Sequence, residues 1–257
     1  SRYETGYKVA DAFKEALGVE QFDAVVVATG KNFADALSGS YLAVVKNAPI
    51  LLTNGKADNI AQLHAYIQEN VIAGGTVYIL GGTGAVPASV EELEGYEVTR
   101  LFGPTRYDTN FAILEEAGIT GEDLIVATGK SFADSLSASA ARKPILLVKP
   151  DAALSNEAKM IVDDMKNIYI IGGEGAVSGS IAEELENYGT VVRVSGKTRY
   201  ETSVAVANTF FTEAEKSVVG LRTFTTVGEL LWYYCSPVCG LPTQQVWDYF
   251  YQQLQYF

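Results

Sequence analysis

Cysteine, histidine, basic residues and long apolar runs are all scarce in this 257-residue chain, and each scarcity removes a class of chemistry. The two cysteines, Cys235 and Cys239, stand together near the C-terminus. The first 234 residues therefore hold neither a disulfide framework nor thiolate metal ligands, which suits an extracellular bacterial protein. His64 is the single histidine. A lone histidine on an otherwise apolar helix reads as a structural or surface residue, so a Ser-His-Asp hydrolase and histidine-based metal chemistry are not expected. No cofactor is expected either. No apolar stretch reaches the length needed to span a bilayer, and no signal peptide precedes Ser1, so the chain reads as a mature segment whose export signal lies elsewhere. Lys and Arg number 19 against 31 Asp and Glu, a net charge of −12. That balance opposes nucleic acid and anionic membranes, and neither is expected as a partner. A polyanionic partner would need a local basic patch or a bridging cation.

What the chain does have is repetition, which takes precedence in reading a sequence. The stretch Ala28-Thr29-Gly30-Lys31-Asn32-Phe33-Ala34-Asp35-Ala36-Leu37-Ser38 returns as Ala127-Thr128-Gly129-Lys130-Ser131-Phe132-Ala133-Asp134-Ser135-Leu136-Ser137. Each copy follows an apolar run and precedes Pro-Ile-Leu-Leu, at Pro49 to Leu52 and Pro144 to Leu147. Gly81-Gly82-Thr83-Gly84-Ala85-Val86 is answered by Gly172-Gly173-Glu174-Gly175-Ala176-Val177. The opening Arg2-Tyr3-Glu4-Thr5 is answered twice, by Arg106-Tyr107-Asp108-Thr109 and by Arg199-Tyr200-Glu201-Thr202.

The periodicity predicts a helix behind each Arg-Tyr opening, then alternating strands and helices. The predicted strands of the first unit are 22–28, 48–53, 76–80 and 96–101; Gly74-Gly75 ends the region before the third, and Ser89 is the expected cap of a short helix. Apolar strands alternating with helices imply parallel sheets covered on both faces. The expected fold class is α/β, built as tandem three-layer modules of about 95 residues each. The third unit is expected to supply a helix over 204–211 that can pack on another unit, and the pattern stops after Val219. The aromatic-rich segment 220–257 leaves three readings open: an unrelated sequence joined on, a divergent native end that packs apolar surface, or a mis-assigned sequence.

Each Thr-Gly turn is expected at the carboxyl edge of a sheet, aiming backbone N–H groups and a helix N-terminus at a ligand. The candidate contacts there are Thr29, Gly30, Lys31 and Asp35, and in the second copy Thr128, Gly129, Lys130 and Asp134. Lys46, Arg142 and Lys143, just before Pro-Ile-Leu-Leu, are expected to add positive charge near the same edge. For Asp35 and Asp134 the structural reading, a carboxylate serving the helix dipole and accepting backbone N–H bonds, outweighs a hydroxyl or cation ligand. Ser38 and Ser137 lack a partner base. The glycine-rich turns lack the Gly-Lys-Thr and Gly-x-Gly-x-x-Gly signatures of phosphate loops, and read as tight turns. In the Arg-Tyr openings, Arg with the nearby carboxylate is expected to brace the junction between units. Two near-identical loops favour a binder of a repeating polymer over an enzyme, because linked equivalent sites raise avidity.

These motifs, over about residues 2–219, resemble the cell wall binding repeat 2 family of Gram-positive bacteria, best known from clostridial surface-layer cell wall proteins. The resemblance implies Rossmann-like modules packed as a pseudo-threefold trimer. It also implies a secreted, cell-wall location and noncovalent anchoring to an anionic secondary cell wall glycopolymer. The expected division is repeat 1 at 1–103, repeat 2 at 104–196, the start of a third at 197–219 and the tail at 220–257. The ligand motif of the family maps onto Pro49, Ile50, Leu51, Leu52 and Thr53, and onto Pro144, Ile145, Leu146, Leu147 and Val148, where Val148 replaces the Thr. The expected function is anchoring without catalysis. The alternatives are a wall hydrolase using Asp35 and Ser38, and a surface module that binds another protein.

Overall fold

The computed structural model describes residues 1–119 and 121–211. The apolar run at 217–219, the aromatic tail and both cysteines lie outside the described residues. Along the chain come α1 (Arg2–Leu17), β1 (Phe22–Thr29), α2 (Ala34–Val45), β2 (Ile50–Thr53), α3 (Ala57–Asn70), β3 (Val71–Leu80), a 3-10 turn (Ala88–Glu91) and β4 (Glu97–Leu101). The order then repeats as α4 (Arg106–Ala117), β5 (Asp123–Thr128), α5 (Ala133–Ser139), β6 (Ile145–Val148), α6 (Asn156–Asp163), β7 (Asn167–Ile171), α7 (Gly179–Leu185) and β8 (Thr190–Val194), with α8 (Arg199–Phe210) last.

The strands form two four-stranded sheets ordered β2-β1-β3-β4 and β6-β5-β7-β8, every pair parallel. The register is the same in both: Val26 faces Ile50 as Ile125 faces Ile145. Central strands are apolar on both faces because helices cover both. On one face of the first sheet Val25, Val27, Leu51 and Ile79 pack against α1 and α3 through Ala10, Phe13, Leu63 and Ile67. On the other, Val26, Leu52 and Leu80 pack against Leu42 of α2. That second layer does not stop at the unit: it continues through Ile113 and Leu114 of α4 into Leu124, Val126 and Ile168 of the second sheet. Helix α4 is thus shared, covering its own sheet while lying on α2 of the unit before. At the next junction α8 lies on the unit before it, packing Val206 with Ala138 of α5 and with Ile125 and Ile145 of the second sheet.

Two expectations are corrected. Gly74-Gly75 does not end a region but lies inside β3, where the pairing to β1 jumps from Phe22–Val71 to Ala24–Thr76. Gly74 has φ 78°, and a side chain on Gly75 would press on the Asp23 carbonyl, so both glycines serve the bulge. Ser89 sits within the 3-10 turn rather than capping it, because Pro87 takes the cap position. Only the second copy, Gly179–Leu185, closes into an α-helix there.

Candidate functional site

The residues of the Arg-Tyr-acid-Thr openings take four separate tasks, all four of which are met at the second opening. The acid completes a capping box: Glu4 with Ser1, and Asp108 with Thr105. Glu201 accepts from the Lys197 N–H at 2.6 Å while Thr198 caps the same helix. The Thr hydroxyl accepts the N–H of the preceding glycine, Gly103 to Thr109 and Gly196 to Thr202, both at 3.1 Å. The Tyr ring lies on the Thr-Gly turn, so close that a Cβ on Gly30 or Gly129 would fall 2.6 Å from Tyr3 or Tyr107. The Arg donates to that turn, Arg2 to the Gly30 carbonyl at 2.7 Å and Arg106 to the Gly129 carbonyl at 2.6 Å. The expected pairing of Arg with the neighbouring carboxylate is therefore replaced. Arginine braces the junction through a carbonyl and through the ring of the unit before: Arg106 lies 5.6 Å over Phe33, and Arg199 5.8 Å over Phe132. Phe33 and Phe132 themselves meet at 5.7 Å.

The Thr-Gly turns lie at the carboxyl edge, but their first amides are not free for a ligand. Gly30 N–H bonds the Thr53 carbonyl and Lys31 N–H bonds the Thr29 hydroxyl. Gly129 and Lys130 do the same with Val148 and Thr128, and Phe33 N–H bonds the Asn32 side chain. Thr29 and Thr128 are thus buried turn braces. Lys31 and Lys130 remain exposed at equivalent positions. Lys56 and Lys149 are exposed after the neighbouring strands, and Lys149 stands 5.8 Å over Tyr107.

Asp35 and Asp134 are partly covered in the first turns of α2 and α5. Each presses a carboxylate oxygen on a glycine of the next turn, so that a Cβ on Gly81 or Gly172 would sit 2.6 or 2.8 Å away. Neither accepts a hydrogen bond among the described residues, which departs from the expected capping role. Burial pushes each carboxyl above its usual range, partly opposed by the charge of the following unit's arginine, Arg106 or Arg199.

The Pro-Ile-Leu-Leu segments form β2 and β6, edge strands of the two sheets that are nonetheless covered. Pro49, Ile50, Leu51, Leu52 and Thr53 are all buried, as are Pro144, Ile145, Leu146, Leu147 and Val148. Their side chains pack in the cores described above. Thr53 donates to the Asn59 side-chain Oδ1 at 2.9 Å and accepts the Gly55 N–H, shaping the loop after β2. On the outer edge of β6, Asn110 donates to the Ile145 carbonyl and accepts the Leu147 N–H, both at 2.9 Å. Its side chain thereby closes a strand edge.

Lys46, Arg142 and Lys143 precede β2 and β6 and so stand at the amino edge, opposite the Thr-Gly turns. Lys46 pairs with Glu116 of α4 at 3.1 Å, and Lys143 with Asp123 at 2.9 Å. Arg142 takes a left-handed conformation, φ 55°, after α5. Two groups of carboxyl-edge side chains escaped the sequence reading. One is the Arg106–Phe33–Phe132–Arg199 ladder, whose rings stood in the repeated loop. The other is Phe102, 57% exposed, where the second copy has Ser195. Aligning the copies flags that difference.

Catalytic alternatives find little here. Ser38 is buried with no partner for its hydroxyl, and Ser137 donates to the Ala133 carbonyl. His64 sits on the opposite face of the first sheet from α2, with its Nε2 3.2 Å from the Val90 carbonyl. Among the described residues no group of His, Cys, Asp and Glu is arranged to hold a metal, and no helix is long and apolar enough to cross a membrane.

Comparison with known proteins points in one direction. Residues 1–91 and 100–182 match the sequence family described as cell wall binding domain 2. The chain is 30% identical over 193 residues to the N-acetylmuramoyl-L-alanine amidase LytC of Bacillus subtilis (strain 168), covering 70% of this chain and 37% of that protein. It is 29% identical over 231 residues to the amidase enhancer of the same strain, covering 85% of this chain and 30% of that one. The chain thus spans about a third of the length of the curated relatives it matches. Among solved structures, Cwp8 from Clostridium difficile shares the fold, with a TM-score of 0.77, 24% identity, and coverage of 92% of this chain and 41% of that one. Cwp6 from the same organism gives 0.69, 25%, 82% and 34%.

Proposed function

The chain belongs to the cell wall binding domain 2 family, and on that premise we propose that it is a non-catalytic anchoring module, holding a longer protein at the bacterial surface through multivalent contact with an anionic wall glycopolymer. The observation that carries this reading is the duplicated carboxyl edge. The same turn is built twice, and Lys31, Lys56, Lys130 and Lys149 stand exposed around the two copies in an otherwise acidic chain. Two equivalent basic edges on units joined by a shared core suit a repeating polyanion, since the second contact then costs no separate encounter. The polymer contacts are assigned to the exposed lysines and the surfaces of these turns. Pro49–Thr53 and Pro144–Val148 support the edges from within, and Asp35 and Asp134 flank them. Units 1–103 and 104–196 are taken as the two repeats, and 197–219 as the start of a third.

Binding to purified Gram-positive walls, before and after extraction of the anionic polymer, tests the reading. Binding should be strong to intact walls, weak to stripped walls, and should fall steeply with added salt. Equal binding to intact and stripped walls overturns it.

A further inference from the structure

The turn after β2 holds the one Asn-Gly pair of the chain, Asn54-Gly55. The side-chain amide carbon of an asparagine is weakly electrophilic. The next peptide nitrogen can attack it when the residue that follows has no Cβ to crowd the approach. Gly55 supplies that nitrogen at φ 75°, and both residues are partly exposed at the carboxyl edge of the first sheet. The Asn54 side chain reaches forward along the chain, its Oδ1 accepting the Lys56 N–H at 2.8 Å in an Asx turn. That bond polarises the amide carbonyl, whose oxygen gains charge on attack. The Gly55 N–H donates to the Thr53 hydroxyl at 3.1 Å rather than into the sheet. Two cations stand beside the turn. Lys31 Nζ lies 3.9 Å from the Cβ position of Gly55, and Lys56 is the next residue, exposed. Positive charge there favours the anionic nitrogen and oxyanion through which such an attack runs. The second copy has Lys149-Pro150 at this place, with neither an amide nor an N–H, and is inert to the reaction.

The Gly55 nitrogen gives its proton to hydroxide and bonds to the Asn54 amide carbon. The bond from that carbon to the side-chain nitrogen breaks, and ammonia leaves with a proton taken from water. Water then opens the resulting cyclic imide. Breaking the bond between the Gly55 nitrogen and the side-chain carbon leaves aspartate at position 54. Breaking its bond to the main-chain carbon leaves isoaspartate, with the chain rerouted through the side chain. Nothing is oxidised or reduced, and water is the sole co-reactant. Either product is an anion at neutral pH, where a neutral amide stood. Isoaspartate also lengthens the backbone of a turn that has little room. The Cβ position of Gly55 is 3.0 Å from the Pro87 ring, and Asn59 Oδ1 holds the start of the turn through the Asn54 N–H at 2.8 Å and the Thr53 hydroxyl at 2.9 Å.

We propose that Asn54 is a deamidation site, and that its conversion is a slow, irreversible switch that sets a carboxylate beside Lys31 and Lys56 and weakens the first basic edge for a polyanion. The site rests on the turn alone. Its consequence rests on the anchoring function proposed above. Lys130 and Lys149 are untouched, so an aged protein keeps one of two linked edges at full strength.

The test ages the folded chain in warm neutral buffer and follows its asparagines by peptide mass spectrometry, counting isoaspartate separately. Asn47, exposed and followed by Ala48, is the control within the same stretch. Asn54 should convert several-fold faster than Asn47, and Lys31→Gln should slow it. Conversion at Asn54 no faster than at Asn47 overturns the site, and an unchanged rate in Lys31→Gln overturns the help assigned to that lysine. Half-saturating binding to purified walls is then measured for fresh and aged wild type, for Asn54→Asp, and for fresh and aged Asn54→Gln, at low and high salt, with thermal midpoints confirming the fold. Aged wild type and Asn54→Asp should bind roughly two- to fivefold more weakly than fresh wild type at low salt, the scale of one exposed charge interaction. The gap should shrink at high salt, because charge is screened. Asn54→Gln should bind equally well fresh and aged. Conversion at Asn54 with no change in binding overturns the switch and leaves the anchoring reading intact. Failure of fresh wild type to bind walls removes the anchoring reading and the switch together, while the mass data still decide the site.

Discussion

The second and third Arg-Tyr openings share a sequence pattern but not a set of contacts. At the second, Arg106 reaches forward to the Gly129 carbonyl of its own unit and backward over Phe33 of the unit before, while Tyr107 covers Gly129. At the third, the contact of Arg199 among the described residues is the backward one, over Phe132, and Tyr200 is 56% exposed. At the first opening the contact seen among the described residues is the forward bond of Arg2 to Gly30. One short motif therefore has two halves, one closing a unit on itself and one attaching it to its predecessor. A third unit of the same design, carrying its own Thr-Gly turn and Phe-Ala-Asp helix, is what both incomplete openings would fit.

Removing the freedom of the linker glycines should break this comparison most sharply. A Cβ on Gly103 would fall 2.3 Å from the Asp108 Cβ and 2.8 Å from the Asp108 carbonyl carbon, and Gly196 is equally close to Glu201. Either Gly→Ala change forces the following helix to shift. Helix α4 cannot shift freely, because Ile113 and Leu114 are locked in a core that spans both sheets, whereas among the described residues α8 packs against α5 and the second sheet. Gly103→Ala should cost about 2–3 kcal/mol in chemical denaturation, and Gly196→Ala clearly less. Equal costs would mean that α4 is no more constrained than α8, contrary to the shared core.

The arginines should then rank by how many halves each one serves. Arg106→Ala loses a charged hydrogen bond and a ring contact, about 2–3 kcal/mol together. Of the contacts among the described residues, Arg2→Ala loses the hydrogen bond and Arg199→Ala the ring contact, about 0.5–1 kcal/mol for the latter at so exposed a site. Urea melts of the three variants give the order directly. Supplying a complete third unit in tandem should raise the costs of Arg2→Ala and Arg199→Ala to that of Arg106→Ala. An unchanged ranking in that longer protein would exclude contacts of the third unit with both others.

Much of this was legible in the sequence, and what escaped has a common cause. Repeats, strands and the parallel order follow from local runs such as Val25-Val26-Val27 and from fixed spacings, so they survive reading one residue after another. The roles of Arg106 and Phe33 do not, because they meet only when α4 lies on α2, across a unit boundary. Lys46 and Lys143 misled for the same reason. They sit close in sequence to Pro-Ile-Leu-Leu, but a strand separates its two ends in space, and they belong to the amino edge. Pro-Ile-Leu-Leu itself is distinctive in sequence because it is core, with Leu51 fully buried. Phe102 could be found only by asking where the copies differ.

The smallest expected effect concerns the acids that face the arginines. Burial raises the Asp35 carboxyl, and Arg106 offsets that only in part. A folded-state pKa above the unfolded one means the carboxyl favours folding most when protonated. That contribution is complete below the ordinary carboxylate range and is lost as pH rises through the folded value. Asp35→Asn removes the loss. The variant should therefore melt slightly above wild type at pH 7, and the gap should close as pH falls below the ordinary carboxylate range. Other titrating groups, such as Asp123, whose carboxyl is lowered by Asn167 and Lys143, act equally on both proteins and cancel in the difference. Asp134→Asn should follow the same course with a smaller gap, since Asp134 is less deeply covered. A gap that widens toward acid would show instead that the arginine dominates, making Asp35 a stabilising partner of Arg106 and the unit junction an ionic one.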